Sequence, residues 1–225
     1  MASLDGRSLL ADAATAIDIG CHMSYPFAFE YAGSIWCAPE ISERGGLKLF
    51  QMGERPWEWH AAEHALPDLP LIDPTLFEHG GRWWLFACLA GEAKEGELHA
   101  WYAASPLGSW TPHLLNPIKI DAGSSRPAGA PFRTETGFYR PGQDCSKTYG
   151  GAVVLHQILR LDPEGFEEVA VARVEPGIDW PYRDGLHTFN PIEGSVIFDA
   201  KRHVFSLPGS LSAMRALLPW RRRRG

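Results

Sequence analysis

The sequence is poor in cysteine. Its 225 residues include four, Cys21, Cys37, Cys88 and Cys145, and no two of them form a Cys-x-x-Cys pair. This spacing gives no support to a zinc ribbon or to a thioredoxin-like redox motif. Four cysteines could form two disulfides, but a chain of this size can bury a core without them. We therefore expect buried free thiols and a cytoplasmic location.

Long apolar runs and an excess of positive charge are also missing. No stretch approaches the roughly 20 apolar residues that cross a bilayer, and the start of the chain combines early acidic residues with no apolar run of the secretory type. The 21 Lys and Arg residues against 27 Asp and Glu residues give a net charge of −6. Nucleic-acid binding needs a basic face. We therefore expect no membrane span, no secretion signal and no nucleic-acid partner.

Motifs for metal, phosphate and nucleophile chemistry are absent as well. His60 and His64 are four residues apart, but they lie in the proline-bounded segment WHAAEHALPDLP and not in a sound helix, so they make a poor zinc site. There is no glycine-rich phosphate loop, no Gly-x-Ser-x-Gly elbow and no local Cys–His signature. We expect neither a metal nor a cofactor.

Aromatic residues, glycine and proline are abundant instead. The chain has 9 Trp, 11 Phe and 6 Tyr residues, together with 23 Gly and 18 Pro. This combination favours many short strands joined by tight turns. Sustained helical periodicity is lacking apart from a possible short turn near residues 9–16. The composition therefore predicts an all-β fold.

One hairpin pattern occurs four times. In each copy a polar residue opens an apolar strand, a turn with glycine or an acidic residue follows, and the second strand is rich in aromatics. The copies are YPFAFEYAGSIWCAPE (25–40), DPTLFEHGGRWWLFAC (73–88), RPAGAPFRTETGFYRPGQD (126–144) and, more weakly, HTFNPIEGSVIFDAKRHVF (187–205). Further strand-like pairs lie between them, such as VVLHQILRL and FEEVAVARV.

Units of about four strands, repeated every 40–50 residues or a little more, are typical of β-propeller blades. A β-sandwich is the alternative, because hairpins recur there too. The shared residue types of the copies favour a propeller with about four blades. Within it, GRWWLF is expected to build the core.

A propeller brings the starts of its innermost strands to one central channel. Tyr25, Asp73, Arg126 and His187 open the four units. The second strand of each hairpin returns to the same face, which adds residues at its far end. The candidate pocket residues are Asp73, Glu40 and Asp144 as catalytic carboxylates, and His22, Tyr25, Arg126, Gln143, Tyr149 and His187 as substrate-binding residues.

Such a polar cluster at an apolar centre needs a reason, because buried unpaired charge is costly. Two carboxyl groups that flank a glycosidic oxygen can serve as acid and base, while aromatic faces bind the apolar side of a sugar. Arg126 and His187 would then hold hydroxyls, a carboxylate or a phosphate. The alternative is structural: Asp73 and Arg126 pair only to satisfy each other.

Several segments together resemble a known domain. They are HMSYPFAFEYAGSIWCAPE, IDPTLFEHGGRWWLFA, ASPLGSWTPHLLNPI, SSRPAGAPF and YRPGQDCSKTYGGAVVL. They resemble the N-terminal propeller domain of the glucosamine inositolphosphorylceramide transferases and its bacterial relatives, which is similar to the five-bladed propeller of glycoside hydrolase family 43. The resemblance runs from about residue 17 to about residue 204, and SPLGSW and PGQDCS are its most specific parts. It implies a fold of the five-bladed glycosidase-like type and a sugar-related role.

The sequence also departs from that family. An earlier blade with an Asp-Pro-Phe start, which supplies the catalytic base in the hydrolases, has no counterpart here unless Asp73 takes its place. We expect residues 1–19 to form an N-terminal segment with possible edge strands, residues 20–208 the propeller, and residues 209–225 a basic tail that ends in four arginines. Exposed blade edges would favour oligomers.

Three functions follow as hypotheses. The first is an enzyme that transfers or hydrolyses a glycoside, with Asp73 as base and Glu40 or Asp144 as acid. The second is a non-catalytic carbohydrate-binding or scaffold module, which includes the case of an incomplete and inactive propeller. The third is a protein-interaction propeller, which would have an apolar face. Carboxylates about 5–10 Å apart across an open pocket are compatible with glycoside chemistry. Direct ion pairs to Arg126 would favour binding or structure.

Overall fold

The computed structural model describes residues 16–62, 68–91, 96–192 and 194–204, and within these ranges the protein is all β. In this part of the chain fifteen strands form four antiparallel sheets, with one turn of 3₁₀ helix at Ser42–Arg44. None of the described residues belongs to a helix long and apolar enough to cross a membrane. The expected all-β class is therefore confirmed. The first 15 residues and the basic tail at 209–225 lie outside the described residues.

The four sheets follow one another along the chain. The first contains β1 (Ser24–Tyr31), β2 (Ser34–Glu40), β3 (Phe50–Met52) and β4 (Trp59–Ala61). The second contains β5 (Leu71–His79), β6 (Arg82–Leu89), β7 (Glu97–Ala103), β8 (Thr111–Pro112) and β9 (Lys119–Ile120). The third contains β10 (Phe132–Thr134), β11 (Gly137–Asp144), β12 (Ala152–Asp162) and β13 (Gly165–Val174). The fourth contains β14 (Gly185–Ile192) and β15 (Ser195–Lys201).

Tight turns set the hairpins. Ala32 and Gly33 join β1 to β2 with φ angles of 51° and 73°, and Gly80 and Gly81 join β5 to β6 with φ angles of 61° and 72°. Two-residue turns with positive φ at both positions match the right-handed twist of the flanking strands. The first and third predicted units thus have their four strands, the second has five, and two are described in the fourth.

Apolar layers fill the spaces between consecutive sheets. Trp83 and Trp84 are neighbours on β6, so their side chains point to opposite faces. Trp83 belongs to one layer with Trp36 of the first sheet, and Trp84 belongs to a second layer with Phe138 of the third sheet. A smaller layer around Leu186 joins the third and fourth sheets. The prediction that GRWWLF builds the core is confirmed.

The inner strands bend where the predicted site residues lie. Tyr25 and Asp73 each precede a proline and have positive φ angles of 44° and 50°, and the strand register shifts at both places. The register shifts again beside His187 on β14. Bulges of this kind redirect side chains at the rim of a sheet. Arg126 differs from the prediction, because it lies six residues before β10; its carbonyl instead accepts a hydrogen bond from the backbone of Gln143.

A buried ionic cluster ties the second sheet to the third. The Arg140 guanidinium and the Lys119 ammonium lie 2.6 and 2.7 Å from Oε1 of Glu168, and Lys119 also donates to Nε2 of His156 at 3.1 Å. Burial and the charge of Arg140 lower the pKa of His156 to about 4. Burial works against the Glu168 carboxylate, but Arg140 brings its pKa down to about 2.

All four cysteines are free thiols. Cys37 and Cys88 are buried, and burial raises their pKa values to about 11 and about 12. Cys21 and Cys145 are only partly buried, so the expectation of buried thiols holds for two of the four.

Candidate functional site

A cavity of about 550 Å³ lies where the inner strands of the sheets begin, and we call it the central cavity. Its walls come from the start of β1, from β5, from the loops at residues 129–130 and 149, and from the β14–β15 hairpin. Its aromatic side chains are those of Tyr25, Phe27 and Tyr149. Its main polar side chains are those of Asp73, His187, Thr188, Asn190 and Asp199. Apolar walls with a few fixed polar groups are the usual character of small-molecule sites.

Asp73 is the most buried polar group of the wall, with 2% of its surface exposed. Its Oδ2 accepts hydrogen bonds from Nε of Arg126 at 2.5 Å and from Nε2 of Gln143 at 2.8 Å. The backbone N–H of Asp73 donates to Oε2 of Glu40 at 3.0 Å. Arg126 and Gln143 therefore fix the carboxylate from two separate segments, and Glu40 fixes the backbone of the same residue.

Burial has opposite effects on the two members of the Asp73–Arg126 pair. It raises the pKa of Asp73 to about 6, with a further contribution from Glu40, while the charge and hydrogen bond of Arg126 limit the rise. Burial also opposes the charge on Arg126, but the attraction of Asp73 outweighs it and raises the arginine pKa. Arg126 is thus cationic, and Asp73 gains a proton more easily than an ordinary aspartate.

Arg126 also contacts the aromatic ring of Tyr149. Its guanidinium carbon lies 4.9 Å from the ring centre of Tyr149, and Nη2 donates to the tyrosine hydroxyl at 3.4 Å. The ring of Tyr149 in turn lies 4.5 Å from that of His187. Tyr149 is half exposed, and partial burial raises its pKa to about 12. The half-exposed ring of Tyr149 therefore forms part of the rim of the cavity.

Tyr25 supplies a second aromatic surface of the cavity. Its hydroxyl is hydrogen-bonded to Oγ1 of Thr75 at 2.9 Å, and its ring stacks on Phe27 at 6.1 Å. Burial raises the tyrosine pKa above its usual range. The ring is therefore a neutral, fixed surface.

A second carboxylate lies on the fourth sheet. Oδ2 of Asp199 is 3.0 Å from Nδ1 of His187, and Oδ1 accepts a hydrogen bond from the backbone N–H of Thr188 at 2.6 Å. These bonds lower the pKa of Asp199 despite its partial burial. Gly150 lies directly against the His187 ring, so close that a Cβ there would be 2.8 Å from the ring carbon Cδ2.

The sequence analysis missed Asp199, although a signal for it existed. In the hairpin around Gly194, Thr188 pairs with Asp199 and Phe189 with Phe198. Counting outward from the turn would have placed Asp199 beside His187. The fourth repeat has the weakest pattern of the four, so the sequence marks this pairing least clearly.

The structure groups the nine predicted site residues unequally. Tyr25, Asp73, Tyr149 and His187 line the cavity. Glu40, Arg126 and Gln143 stand behind it, each bonded to Asp73.

Asp144 and His22 are placed elsewhere. Asp144 accepts hydrogen bonds from Arg173 at 2.5 Å and from the Ser146 hydroxyl at 2.6 Å. Both partners help to lower its pKa, against the effect of burial. His22 is exposed, and neither residue belongs to the cavity wall. The three predicted carboxylates are therefore not presented together to the cavity.

Comparison with known proteins identifies similar sequences and folds. A family model described as "Glucosamine inositolphosphorylceramide transferase 1, N-terminal" matches residues 2–178. The transferases of that name from Oryza sativa subsp. japonica and Arabidopsis thaliana are 42% and 36% identical to the chain over 174 residues. That alignment covers 75% of this chain and only 23% of each relative.

Among solved structures, the chain is similar to family-43 glycoside hydrolases. It matches Bacteroides ovatus Xyloglucan PUL GH43B with a TM-score of 0.53 and 19% identity, over 78% of this chain and 35% of that one. It matches a thermostable family-43 glycoside hydrolase with a TM-score of 0.50 and 16% identity, over 72% and 62% of the two chains. This likeness supports the propeller-type fold.

Proposed function

Because the chain belongs to the family of N-terminal domains of the glucosamine inositolphosphorylceramide transferases, we propose that its central cavity binds a sugar unit of a glycan or glycoconjugate. The observation that carries the proposal is that Asp73 and Tyr149 line the cavity and are both held by Arg126, which lies behind the wall. The fixed carboxylate of Asp73 and the rings of Tyr149 and Tyr25 give hydroxyl-binding groups together with aromatic faces. A sugar ring needs both, because it has hydroxyls at its edge and C–H groups on its faces.

Binding is favoured over acid–base catalysis by the three predicted carboxylates. Asp73 is paired directly with Arg126, and Asp144 with Arg173. Glu40 is engaged by the backbone of Asp73 and by Ser42. Glycoside hydrolysis uses two carboxyl groups that face the same bond from opposite sides. The pairings described above leave no such couple among these three residues.

Glycoside transfer or hydrolysis is the second candidate function. It is favoured by the burial of Asp73 at the cavity wall, which raises the pKa of its carboxyl group to about 6, because a general acid works best with a pKa close to the operating pH. The neighbouring Arg126 would then stabilise the carboxylate after proton release. Turnover of aryl glycosides by the purified chain, lost in Asp73→Asn, would support this candidate.

Sugar binding is tested by calorimetric titration with glucosamine, galactose, xylose and arabinose. The wild-type chain should bind at least one of them. Tyr149→Ala should weaken that binding about tenfold, since a stacked ring and a hydrogen-bonding group are lost together. Tyr149 is half exposed, so this change should leave the fold intact.

The matched control is Arg160→Ala. Arg160 forms an exposed ion pair with Asp162 on the third sheet, away from the cavity wall. Its removal should change neither sugar affinity nor melting temperature. Wild-type protein that binds none of the sugars, or Tyr149→Ala with wild-type affinity, contradicts the proposal.

A further inference from the structure

The charges around the central cavity are unbalanced. Asp73 and Asp199 present carboxylates on its wall, and Glu40 stands directly behind Asp73. No arginine or lysine is among the described residues that line it. Among the described lining residues, His187 contributes an imidazole whose Nδ1 faces Asp199. The wall therefore carries net negative charge.

Two cations lie nearby, but both are engaged. Arg126 is paired with Asp73 and lies against the ring of Tyr149. The ammonium of Lys201 contacts the carbonyl oxygen of Tyr149 and the hydroxyl of Thr148. Together they offset two of the three carboxylates. Neither belongs to the wall, so an anion in the cavity would meet carboxylates first.

Asp199 has the geometry of a recognition group. Its two oxygens are held by the Thr188 backbone and the His187 ring, yet about half of its side chain is exposed. An ionised carboxylate is an acceptor with about four lone-pair sites, so Asp199 has capacity beyond the two bonds that orient it. Sugar hydroxyls and ammonium groups are donors that suit this capacity, whereas phosphate oxygens only accept.

We propose that the central cavity takes sugars without an anionic substituent and rejects phosphorylated ones, and that Asp199 is the residue that determines this specificity. The inference rests on the sugar-binding function proposed above and names its substrate class. A phosphate monoester carries a charge of about −1.5 to −2 at neutral pH. Because Arg126 and Lys201 offset two of the three carboxylates, one negative charge remains, and beside the mainly apolar walls it repels the phosphate more strongly than it would in water. The cavity would thus bind the sugar portion of a glycoconjugate and leave a phosphate outside.

The test compares matched sugar pairs by calorimetry at pH 7.5 in low salt. The pairs are galactose with galactose 6-phosphate, and glucosamine with glucosamine 6-phosphate. Wild-type protein should bind each phosphorylated sugar at least tenfold more weakly than its parent. Asp199→Asn keeps the size of the side chain and removes its charge. It should reduce the discrimination about tenfold, chiefly by improved binding of the phosphorylated sugar.

Asp184→Asn is the control variant. Asp184 is a carboxylate near the same sheet that faces His203 outside the cavity wall, so its loss should leave the discrimination unchanged. Equal affinity for a parent sugar and its phosphate overturns this inference alone. So does discrimination that persists in full in Asp199→Asn, because steric exclusion would then be the cause. Binding of no sugar by wild-type protein overturns the proposed function, and this inference with it.

Discussion

Nε of Arg126 lies 2.5 Å from Oδ2 of Asp73, although the two residues are 53 positions apart in the chain. Both are nearly inaccessible to solvent. The pair joins the innermost strand of the second sheet to the segment that leads into the third. The pair holds the carboxylate at the cavity wall and neutralises the charge of the arginine. Its effects on stability and on sugar affinity can be separated by mutation.

Removal of one partner should be more damaging than removal of both. Arg126→Ala leaves a buried, uncompensated carboxylate, so we expect the free energy of unfolding to fall by about 3–5 kcal/mol in urea titrations. The double change Asp73→Leu with Arg126→Met leaves no buried charge and should recover much of that loss. A double variant as unstable as Arg126→Ala would contradict this account.

Sugar affinity should follow a different order. The double variant lacks the Asp73 carboxylate, so it should bind the sugar that the wild-type protein binds at least tenfold more weakly even though its fold is restored. Calorimetric titration of the refolded double variant measures this. Wild-type affinity in a stable double variant would show that the pair is structural only.

Gly150 should be intolerant of a side chain for two reasons. Its φ angle is +57°, and a Cβ would lie 2.8 Å from the ring carbon Cδ2 of His187. Gly80 is the matched control, since its φ angle is +61° but a Cβ there would meet nothing within 4 Å. Both alanine variants carry the penalty of left-handed backbone, on the order of 1 kcal/mol.

Only Gly150→Ala should also displace His187 from Asp199 and weaken sugar binding. Thermal melting and sugar titration of the two variants provide the comparison. Equal sugar affinity of the two alanine variants would count against a role for the His187 position.

Stability should fall in mild acid because of the buried cluster around Glu168. His156 has a pKa of about 4 in the folded protein against 6.5 ordinarily, so the unfolded chain binds the proton more readily. Its contribution is therefore complete above pH 6.5 and is lost as the pH falls towards 4. The pKa of Glu168 is lowered from 4.5 to about 2, so this residue adds a further loss of stability as the pH falls from 4.5 towards 2.

Asp73 acts with the opposite sign. Its folded pKa of about 6 lies above the ordinary 3.8, so its contribution to stability is complete below pH 3.8 and is lost as the pH rises through 6.

The role of His156 is tested by the variant His156→Gln, which keeps an acceptor for Lys119 but does not titrate. Its melting temperature should therefore fall less between pH 7 and pH 5 than that of the wild-type protein. Parallel curves for the two proteins would exclude His156 as the cause.

The two tryptophans Trp84 and Trp57 should differ sharply in their effect on stability. Trp84 is 1% exposed between the second and third sheets, whereas Trp57 is 55% exposed. Trp84→Ala leaves a large cavity and should cost about 3–5 kcal/mol in urea titrations. Trp57→Ala should cost about 0.5 kcal/mol or less. Similar losses for both would contradict the layered core.

The sequence by itself determined the main hairpins and placed Tyr25, Asp73 and His187 on their inner strands, whereas Arg126 lies six residues before β10. These features depend on local chemistry: alternating apolar residues form strands, and pairs such as Gly80 and Gly81 adopt the positive φ angles of tight turns. Because similar hairpins recur, equivalent positions in the repeats could be aligned. That alignment correctly brought Tyr25, Asp73 and His187 to one cavity.

Only the tertiary structure decided which partner each polar side chain takes. Asp144 ends its strand β11 as predicted, but it pairs with Arg173 of β13, which lies two strands away in the same sheet. Asp199 joins the cavity because the register of a weakly patterned hairpin places it beside His187. A polar side chain binds whichever complementary group lies within about 3 Å, and a bulge or a register shift of one residue changes that group. Such distances depend on how whole sheets pack, which no local pattern specifies.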